Sequence, residues 1–273
     1  MIKQCVFCQK EYEVTRGCVL KKSKYCSREC HKNYWLKKGN KSGKFVGNKI
    51  ALGKIIKLTQ KLSDLQRQFI IGTLLGDSSI GLSRKGSCSL CFQHTKKNLD
   101  YVLMKTEILK NFIVRDKPTF CKARESQSIN GIVVKTKESY LNSTVTHQDF
   151  DEYNTLFYVR KENKRIKIFN DRLSDLITPI SLLFWYMDDG TIGKNFINLS
   201  TNNFSYTDHL KIQQFFKEKF NLDPKIYFIK LQHNYYIRFN KEDVSKLMKI
   251  FEPLTHLIPP SMSYKFCFGT NPR

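Results

Sequence analysis

The feature that most constrains the fold is an internal repeat. Two apolar segments, residues 70–77 and 182–189, each end abruptly at an aspartate. Both segments are apolar on all sides, which predicts two buried helices that pack against each other. Gly72 and Gly76 are four residues apart and share one face of the first helix, where the lack of side chains permits a close approach. We therefore expect two related halves joined along a pair of central helices.

The residues in front of each segment are typical of helix starts. Ser63 and Gln66 have the spacing of a capping box, in which each side chain accepts a backbone N–H of the other residue. Thr178 offers a cap, and Pro179 suits the first helical position. Farther along, the patterns predict a strand at Ile192–Ser200 and helices at Tyr206–Phe220 and Lys241–Phe251, the last with Asp243 in its first turn.

Asp77 and Asp189, which end the two segments, are the candidate catalytic residues. A carboxylate at a helix C-terminus adds to the negative end of the helix dipole, so two such ends side by side would repel each other. A divalent cation would remove that cost, and hard carboxylate oxygens suit Mg²⁺. Metal-bound acids of this kind can activate water for phosphodiester hydrolysis. The alternative is that both aspartates only terminate helices and have no catalytic role. Their recurrence at equivalent positions of the two segments makes this alternative less favoured.

The charge balance indicates a polyanionic partner. The chain has 47 Lys+Arg against 24 Asp+Glu, a formal net charge of +23. Such an excess favours binding to nucleic acid, and the alternatives are a ribosomal or a membrane-surface protein. No segment approaches the roughly 18 apolar residues of a membrane span, and the N-terminus lacks an apolar signal core. We expect a soluble intracellular protein, in a bacterial or phage-infected cytoplasm or an organelle matrix.

Cysteines are concentrated near the N-terminus in two close pairs, Cys5 with Cys8 and Cys26 with Cys30. Four thiolates in two pairs can form a closed tetrahedral Zn²⁺ site that stabilises a segment too short for its own core. The alternative is a set of buried free thiols. The sequence therefore predicts a small zinc-finger-like module with a DNA-binding role, because lysines and arginines flank the second pair.

Two further segments carry a family resemblance. Residues 185–190 read Trp-Tyr-Met-Asp-Asp-Gly, and residues 258–265 read Ile-Pro-Pro-Ser-Met-Ser-Tyr-Lys. Together with the first apolar segment, they resemble the LAGLIDADG homing endonucleases. The resemblance implies an α+β fold of two pseudo-symmetric αββαββα units, whose sheets form a saddle over the DNA. It also implies a monomer that cleaves double-stranded DNA at one site with the help of Mg²⁺.

The resemblance assigns roles residue by residue. It implies that Asp77 and Asp189 are the metal-binding catalytic acids. Gly76 and Asp188 precede them, where the family offers a backbone carbonyl to the metal. The family also places a lysine near each active centre, for which the candidates are Lys164 and Lys265.

The domain division predicted from these features has four parts. Residues 1–38 form the zinc-finger-like module and 39–58 a basic linker, while 59–177 and 178–273 form the first and second halves of the nuclease.

In each half, we expect one face of an antiparallel sheet to read base edges in the major groove. The alternative for each polar residue there is an ordinary solvated sheet face. Because the two faces carry different residues, the target is expected to be asymmetric. The candidate base-reading residues are Arg84, Gln93, Lys122, Arg124, Asn198, Lys230, Gln232 and Arg238.

Two other functions remain open at this level. The same scaffold is similar to RNA-binding intron maturases, for which intron RNA would be the partner. A catalytically inactive DNA-binding protein is the third possibility. A maturase does not need both acids, whereas this chain has both.

Overall fold

The structure is a computed structural model of the chain. It separates into two compact units, residues 1–54 and 55–273. Among the residues described, no helix combines the length and the apolar character that crossing a membrane requires. The residues described are 2–13, 24–27, 29–30, 56, 60–83, 86–127, 133–162 and 164–267. The predicted linker 39–58 therefore lies outside the described residues, apart from Ile56.

The described part of the smaller unit contains an antiparallel hairpin. Strand β1 (Ile2–Gln4) pairs with β2 (Glu11–Glu13), with Lys3 opposite Tyr12. Between the strands, Gln9 has a φ of 61° and donates its N–H to the carbonyl of Cys5. Cys5 and Cys8 both lie in the connection between the strands, and their sulfur atoms are within 4.8 Å of each other.

The first half of the larger unit begins with the first motif helix. Its helices are α1 (Asp64–Leu75), α2 (Leu99–Ile108), α3 (Asp151–Phe157) and α4 (Asp171–Leu176). Its strands are β3 (Ser79–Leu82), β4 (Cys88–Thr95), β5 (Thr119–Cys121), β6 (Arg124–Gln127), β7 (Val133–Thr136), β8 (Ser139–Ser143), β9 (Tyr158–Lys161) and β10 (Lys164–Lys167).

The second half repeats this plan with fewer elements. Its helices are α5 (Pro179–Asp189), α6 (Tyr206–Phe220) and α7 (Lys241–Phe251). Its strands are β11 (Gly190–Ile192), β12 (Ile197–Leu199), β13 (Lys225–Ile229) and β14 (Asn234–Phe239).

Each half has one four-stranded antiparallel sheet, and the two sheets have the same topology. Their strand orders are β3-β4-β8-β5 and β11-β12-β14-β13. When the separate hairpins β6–β7 and β9–β10 and the short helix α4 are set aside, both halves read αββαββα. This confirms the predicted α+β class and the pseudo-symmetry of the halves.

Local sequence signals set several boundaries correctly. The Ser63–Gln66 capping box is present at the start of α1. Pro179 begins α5 with Thr178 at the N-cap, where the Ser181 hydroxyl accepts the Thr178 N–H at 3.1 Å and the Thr178 hydroxyl donates to Gln68 at 2.8 Å. The predicted bounds of α6 and α7 are confirmed. The single strand predicted over Ile192–Ser200 is wrong, because a turn closed by the Gly193 N–H and the Phe196 carbonyl separates β11 from β12.

The two motif helices α1 and α5 pack closely against each other. A Cβ placed on Gly72 would lie 2.2 Å from the Ser181 carbonyl oxygen, and one placed on Gly76 would lie 2.4 Å from Cβ of Asp188. Both distances are far below contact distance, so glycine is required at both positions. Phe184 of α5 packs edge-on against Phe69 of α1, and Trp185 stacks on Phe216 of α6. The close approach predicted from Gly72 and Gly76 is confirmed.

Replacing Gly72 by alanine is therefore expected to destabilise the larger unit. The new methyl group would meet a backbone oxygen that cannot rotate away, and such overpacking costs about 1–3 kcal/mol. Chemical denaturation should show this loss in the free energy of unfolding. Gly81→Ala is the matched control, because its Cβ would lie 3.2 Å from a movable Ser89 hydroxyl. Equal stability of Gly72→Ala and wild type would contradict this close packing of α1 against α5.

Candidate active centre

Asp77 and Asp189 lie at the same end of the motif helix pair. Asp189 is the last residue of α5, and Asp77 lies just beyond the end of α1. Both line one open cleft of about 530 Å³. The structure therefore places the two predicted catalytic acids in one cleft.

The electrostatics of this cleft favour a bound cation. Burial, together with the Asp188 carboxylate, raises the pKa of Asp77 to about 6. Burial and the carboxylates of Asp77 and Asp188 raise the pKa of Asp189 to about 8. Like charges thus crowd the cleft, and a divalent cation would relieve their repulsion. The donor set of carboxylate oxygens fits Mg²⁺.

Two buried lysines hold the ends of the motif helices. Lys167 Nζ donates to the carbonyls of Leu75 at 3.2 Å and Gly76 at 3.4 Å. Lys265 Nζ donates to the corresponding carbonyls of Met187 at 2.6 Å and Asp188 at 3.4 Å. The pair follows the pseudo-symmetry of the halves, and each cation lies where helix carbonyls are left without internal partners.

Burial lowers the pKa of Lys167 to about 8, against the opposing attraction of Asp189, Asp188 and Asp77. Burial also lowers the pKa of Lys265. Keeping both ammonium groups charged and buried therefore costs free energy, which the nearby acids offset in part and a neighbouring phosphate would reduce further.

The structure supports one of the two predicted lysines and corrects the other. Lys265 is buried beside the end of α5. Lys164 is exposed at the start of β10, opposite Lys161, so the structure does not bring it to the cleft. Lys167 takes the place predicted for Lys164, because three residues along β10 the side chain points to the opposite face and into the interior.

Asp188 has a fully buried side chain and a dense set of partners. Lys105 Nζ donates to its two oxygens at 2.8 and 3.0 Å. The Tyr101 hydroxyl donates to Oδ1 at 2.7 Å, and the Thr73 hydroxyl donates to Oδ2 at 2.8 Å. Burial alone would raise the pKa of Asp188, but the Lys105 charge and the hydrogen bonds from Lys105 and Tyr101 act against it, and that pKa lies below its ordinary value. Asp188 is thus a buried, paired anion beneath the cleft.

His94 of β4 lies between Asp77 of the first half and Asp188 of the second half. Its Nδ1 is 3.5 Å from Asp77 Oδ2, and its Nε2 is 3.7 Å from Asp188 Oδ1. Burial and the nearby Lys105 cation lower the pKa of His94 to about 3, so the ring is neutral. These contacts are therefore not ion pairs.

Four of the residues around the centre were not predicted: Tyr101, Lys105, His94 and Lys167. His94 carried a signal, because it continues the buried face of β4 after Leu90 and Phe92, where a polar residue is out of place. The sequence contains many lysines, and the residues around Lys105 and Lys167 do not distinguish these two from the others.

In the smaller unit, the four predicted zinc ligands come together. The sulfur atoms of Cys5, Cys8, Cys26 and Cys30 all lie within 4.8 Å of one another. Cys26 Sγ is 3.5 Å from that of Cys8 and 3.4 Å from that of Cys30. These separations exceed the roughly 2.05 Å of a disulfide and suit thiolates around one tetrahedral ion with Zn–S bonds of about 2.3 Å.

The predicted base-reading residues occupy different settings. Gln93 on β4, Asn198 on β12 and Arg238 on β14 lie on the sheets, and Arg238 Nε donates to Asn198 Oδ1 at 2.8 Å. Lys230 and Gln232 lie in the exposed turn between β13 and β14. Exposed Lys122 precedes β6, and exposed Arg124 begins it, outside the four-stranded sheet. Arg84 lies outside the described residues.

Comparison with known proteins gives consistent relatives. Residues 67–247 match the family model of the LAGLIDADG DNA endonuclease family. Probable intron-encoded endonuclease 1 of Wickerhamomyces canadensis is 29% identical over 214 residues, which cover 76% of this chain and 86% of the relative. Cytochrome b mRNA maturase bI2 of Debaryomyces hansenii is 25% identical over 219 residues, 77% of each chain.

A solved structure also matches most of this chain. The homing endonuclease I-WcaI bound to its DNA recognition sequence superimposes with a TM-score of 0.64 at 26% identity. The match covers 80% of this chain and 92% of that one.

Proposed function

The chain belongs to the LAGLIDADG DNA endonuclease family, and we propose that it cleaves double-stranded DNA at a long asymmetric site by metal-dependent phosphodiester hydrolysis. It is a site-specific DNA endonuclease of the homing type. One observation carries the finer proposal: Asp77 and Asp189 line a single cleft at the end of the paired motif helices, flanked by Lys167 and Lys265.

The residues of the cleft have complementary roles in this mechanism. Asp77 and Asp189 would hold Mg²⁺, with the carbonyls of Gly76 and Asp188 close by. The bound ion would supply Lewis-acid polarisation of the scissile phosphate and a lower pKa for its water. Lys167 and Lys265 stay fixed on helix carbonyls and place positive charge beside the phosphate. Because these donors are held before substrate arrives, little reorganisation is needed as negative charge develops.

The sheet faces support an asymmetric target. On the second-half face, the Arg238 guanidinium lies 4.4 Å from the Phe196 ring and 4.7 Å from the Tyr227 ring. Arginine fixed in this way suits bidentate contact with guanine. On β4 of the first half, the equivalent face carries the small or neutral residues Ser89, Cys91 and Gln93. The two half-sites would therefore be read by different chemistry.

A monomer is sufficient for this activity, because one chain supplies both acids. We further propose that residues 1–38 bind Zn²⁺ and contact DNA beside the site, that 39–58 link this module to the nuclease, and that 59–177 and 178–273 are its two halves. An intracellular location follows from the proposed DNA substrate.

The direct test is cleavage of a supercoiled plasmid that carries the uninterrupted sequence flanking this gene. With Mg²⁺, the protein should convert the plasmid to a linear product with ends at one position, and with a chelator it should not. Cutting at many unrelated positions would contradict the site-specific proposal, and no cutting of this locus would contradict the choice of substrate.

DNA binding should weaken steeply with salt, because each neutralised phosphate releases counterions. The expected log–log slope is about −0.9 per phosphate, so about six to ten contacts give a slope between roughly −5 and −9. Fluorescence anisotropy at increasing KCl would measure it. A slope near zero would be incompatible with a phosphate-tracking surface on a chain of net charge +23.

An intron maturase is the second candidate, favoured by the relatedness to cytochrome b mRNA maturase bI2 of Debaryomyces hansenii. Intron RNA would then be a further partner. A splicing assay on the RNA of the host intron, with and without the protein, separates the functions. Splicing assistance without DNA cleavage would favour the maturase, and tight DNA binding with neither activity would favour an inactive DNA-binding protein.

A further inference from the structure

The two acids of the cleft are held by different backbone structures. Asp189 belongs to α5, whose hydrogen bonds continue past it to the Gly190 N–H, which donates to the Tyr186 carbonyl. Asp77 lies beyond the end of α1, and the Thr73 carbonyl accepts the Ser78 N–H at 2.9 Å. The acceptor of the Asp77 N–H is instead Oδ2 of Asp188, at 3.3 Å. A side chain of the second motif thus supports the turn that carries the first acid.

Asp188 can provide this support because its own orientation is fixed. Lys105, Tyr101 and Thr73 all donate to its carboxylate. The side chains of both Lys105 and Asp188 are fully buried, so neither can find water as an alternative partner. A buried pair with all its hydrogen bonds made has one low-energy arrangement, and the Asp77 N–H is part of it.

The surroundings argue against a metal role for this carboxylate. Ligand atoms of Asp77, His94 and Asp188 lie within 4.8 Å of one another, close enough to surround an ion. However, the Lys105 ammonium is already 2.8 Å from Asp188 Oδ1. A second cation there would be repelled and would compete with five hydrogen bonds. The side chain of Asp188 therefore acts as a structural anion.

The second half has no equivalent of this arrangement among the described residues. Gly76 occupies the position in the first motif that Asp188 occupies in the second, and it offers no side chain. Lys105 lies six residues after the start of α2, and the same position of α6 is the buried, apolar Ile212. Gly76 also provides the space for Asp188, since a Cβ there would collide with it.

We propose that Asp188, with Lys105 as its buried counter-ion, is a positioning residue that fixes the turn of Asp77, while Asp189 is held by its own helix. This inference rests on the proposed function, in which Asp77 and Asp189 bind the catalytic metal. A pseudo-two-fold centre placed on a duplex sets its two acids nearest opposite strands. Loss of the Asp188 support should therefore slow cleavage of one strand more than the other.

The test uses the double variant Asp188→Asn/Lys105→Met in the full chain. Removing both charges avoids an unpaired buried ammonium, which a single substitution would leave. Each strand of the target duplex carries its own end label, and both cleavage rates are measured with Mg²⁺. We expect one strand to be cut at least about tenfold more slowly than the other, with nicked plasmid accumulating. The affected strand should be the one that Asp77→Asn affects most.

A second readout does not depend on cleavage. Hydrogen exchange followed by mass spectrometry should show faster exchange in the peptide that contains Asp77, without faster exchange around Asp189. Tyr101→Phe removes only one hydroxyl from the network and should bias the two strands in the same direction by a smaller factor. This milder variant keeps the test decisive if the double variant is poorly folded.

Asp243→Asn is the matched control. Asp243 is another buried carboxylate, and its Oδ1 accepts the Asp223 N–H at 3.1 Å, away from the cleft. It should lower stability without changing the ratio of the two strand rates. An equal slowing of both strands, or a ratio like that of the control, would overturn the positioning role.

Mg²⁺ titration by calorimetry addresses the metal alternative. If the double variant loses Mg²⁺ binding as fully as Asp77→Asn, Asp188 is a ligand and the inference fails. If the wild-type protein cuts neither strand, the proposed function fails, and the exchange of the Asp77 peptide still decides whether Asp188 supports that turn.

Discussion

Asp77→Asn and Asp189→Asn are each expected to abolish double-strand cleavage and to leave DNA binding largely intact. Either change removes a carboxylate from the shared cleft and with it one anionic ligand of the cation. The expected loss in rate is at least about 10³-fold, which corresponds to roughly 4 kcal/mol in the activation barrier. Plasmid cleavage under single-turnover conditions measures the rate, and anisotropy measures the binding.

The thermal stability of the variants distinguishes a loss of catalysis from misfolding. Burial and neighbouring carboxylates raise the pKa of Asp189 to about 8. The folded protein therefore loses stability as pH rises from about 4 to about 8, because Asp189 becomes charged more readily in the unfolded state. Without metal at pH 8, Asp189→Asn should unfold at a temperature no lower than wild type. The exposed Asp175 of α4 gives the control Asp175→Asn, which should keep full activity. Wild-type cleavage by either motif variant would refute the assignment of the acids.

If the four cysteines bind zinc as proposed, its removal is expected to unfold the smaller unit and to leave the nuclease unit folded. The four cysteine sulfurs lie within 4.8 Å of one another. In short modules of this kind, a bound zinc ion supplies about 10–16 kcal/mol of folding free energy. Metal analysis should find one zinc per chain, which a strong chelator releases. Affinity for DNA should then fall by about tenfold or more, the cost of at least one charge-assisted phosphate contact.

Cys8→Ser should reproduce the effect of the chelator. Cys267→Ser is the control, since Cys267 lies in the larger unit and outside the cysteine cluster. It should retain zinc and DNA affinity. If circular dichroism, zinc content and binding are all unchanged in Cys8→Ser, the four cysteines do not form a zinc site.

Much of the architecture follows from local pattern. The capping box at Ser63, the proline at 179 and the apolar runs define the two motif helices, and the glycines at 72 and 76 define how closely they pack. Residue spacing likewise marked the four cysteines. These features repeat or cluster within a few residues, so the physical signal is contained in the sequence itself.

The strand boundaries were less predictable. A single strand over 192–200 satisfied the apolar alternation, but Gly193 turns the chain between β11 and β12. Lys164 and Lys167 both lie in β10, and which of them faces the interior depends on how β10 packs beneath the end of α1. Alternation along a strand fixes which residues share a face, and it does not say which face is buried.

The sequence by itself determined that two motif helices bring Asp77 and Asp189 to a common site and that four cysteines cluster near the N-terminus. Only the tertiary structure decided what holds the first acid in place. The bonds that Asp188 accepts from Lys105 and Thr73 span 83 and 115 residues of chain. Contacts at such separations arise from packing between the halves, for which residue spacing carries no signal.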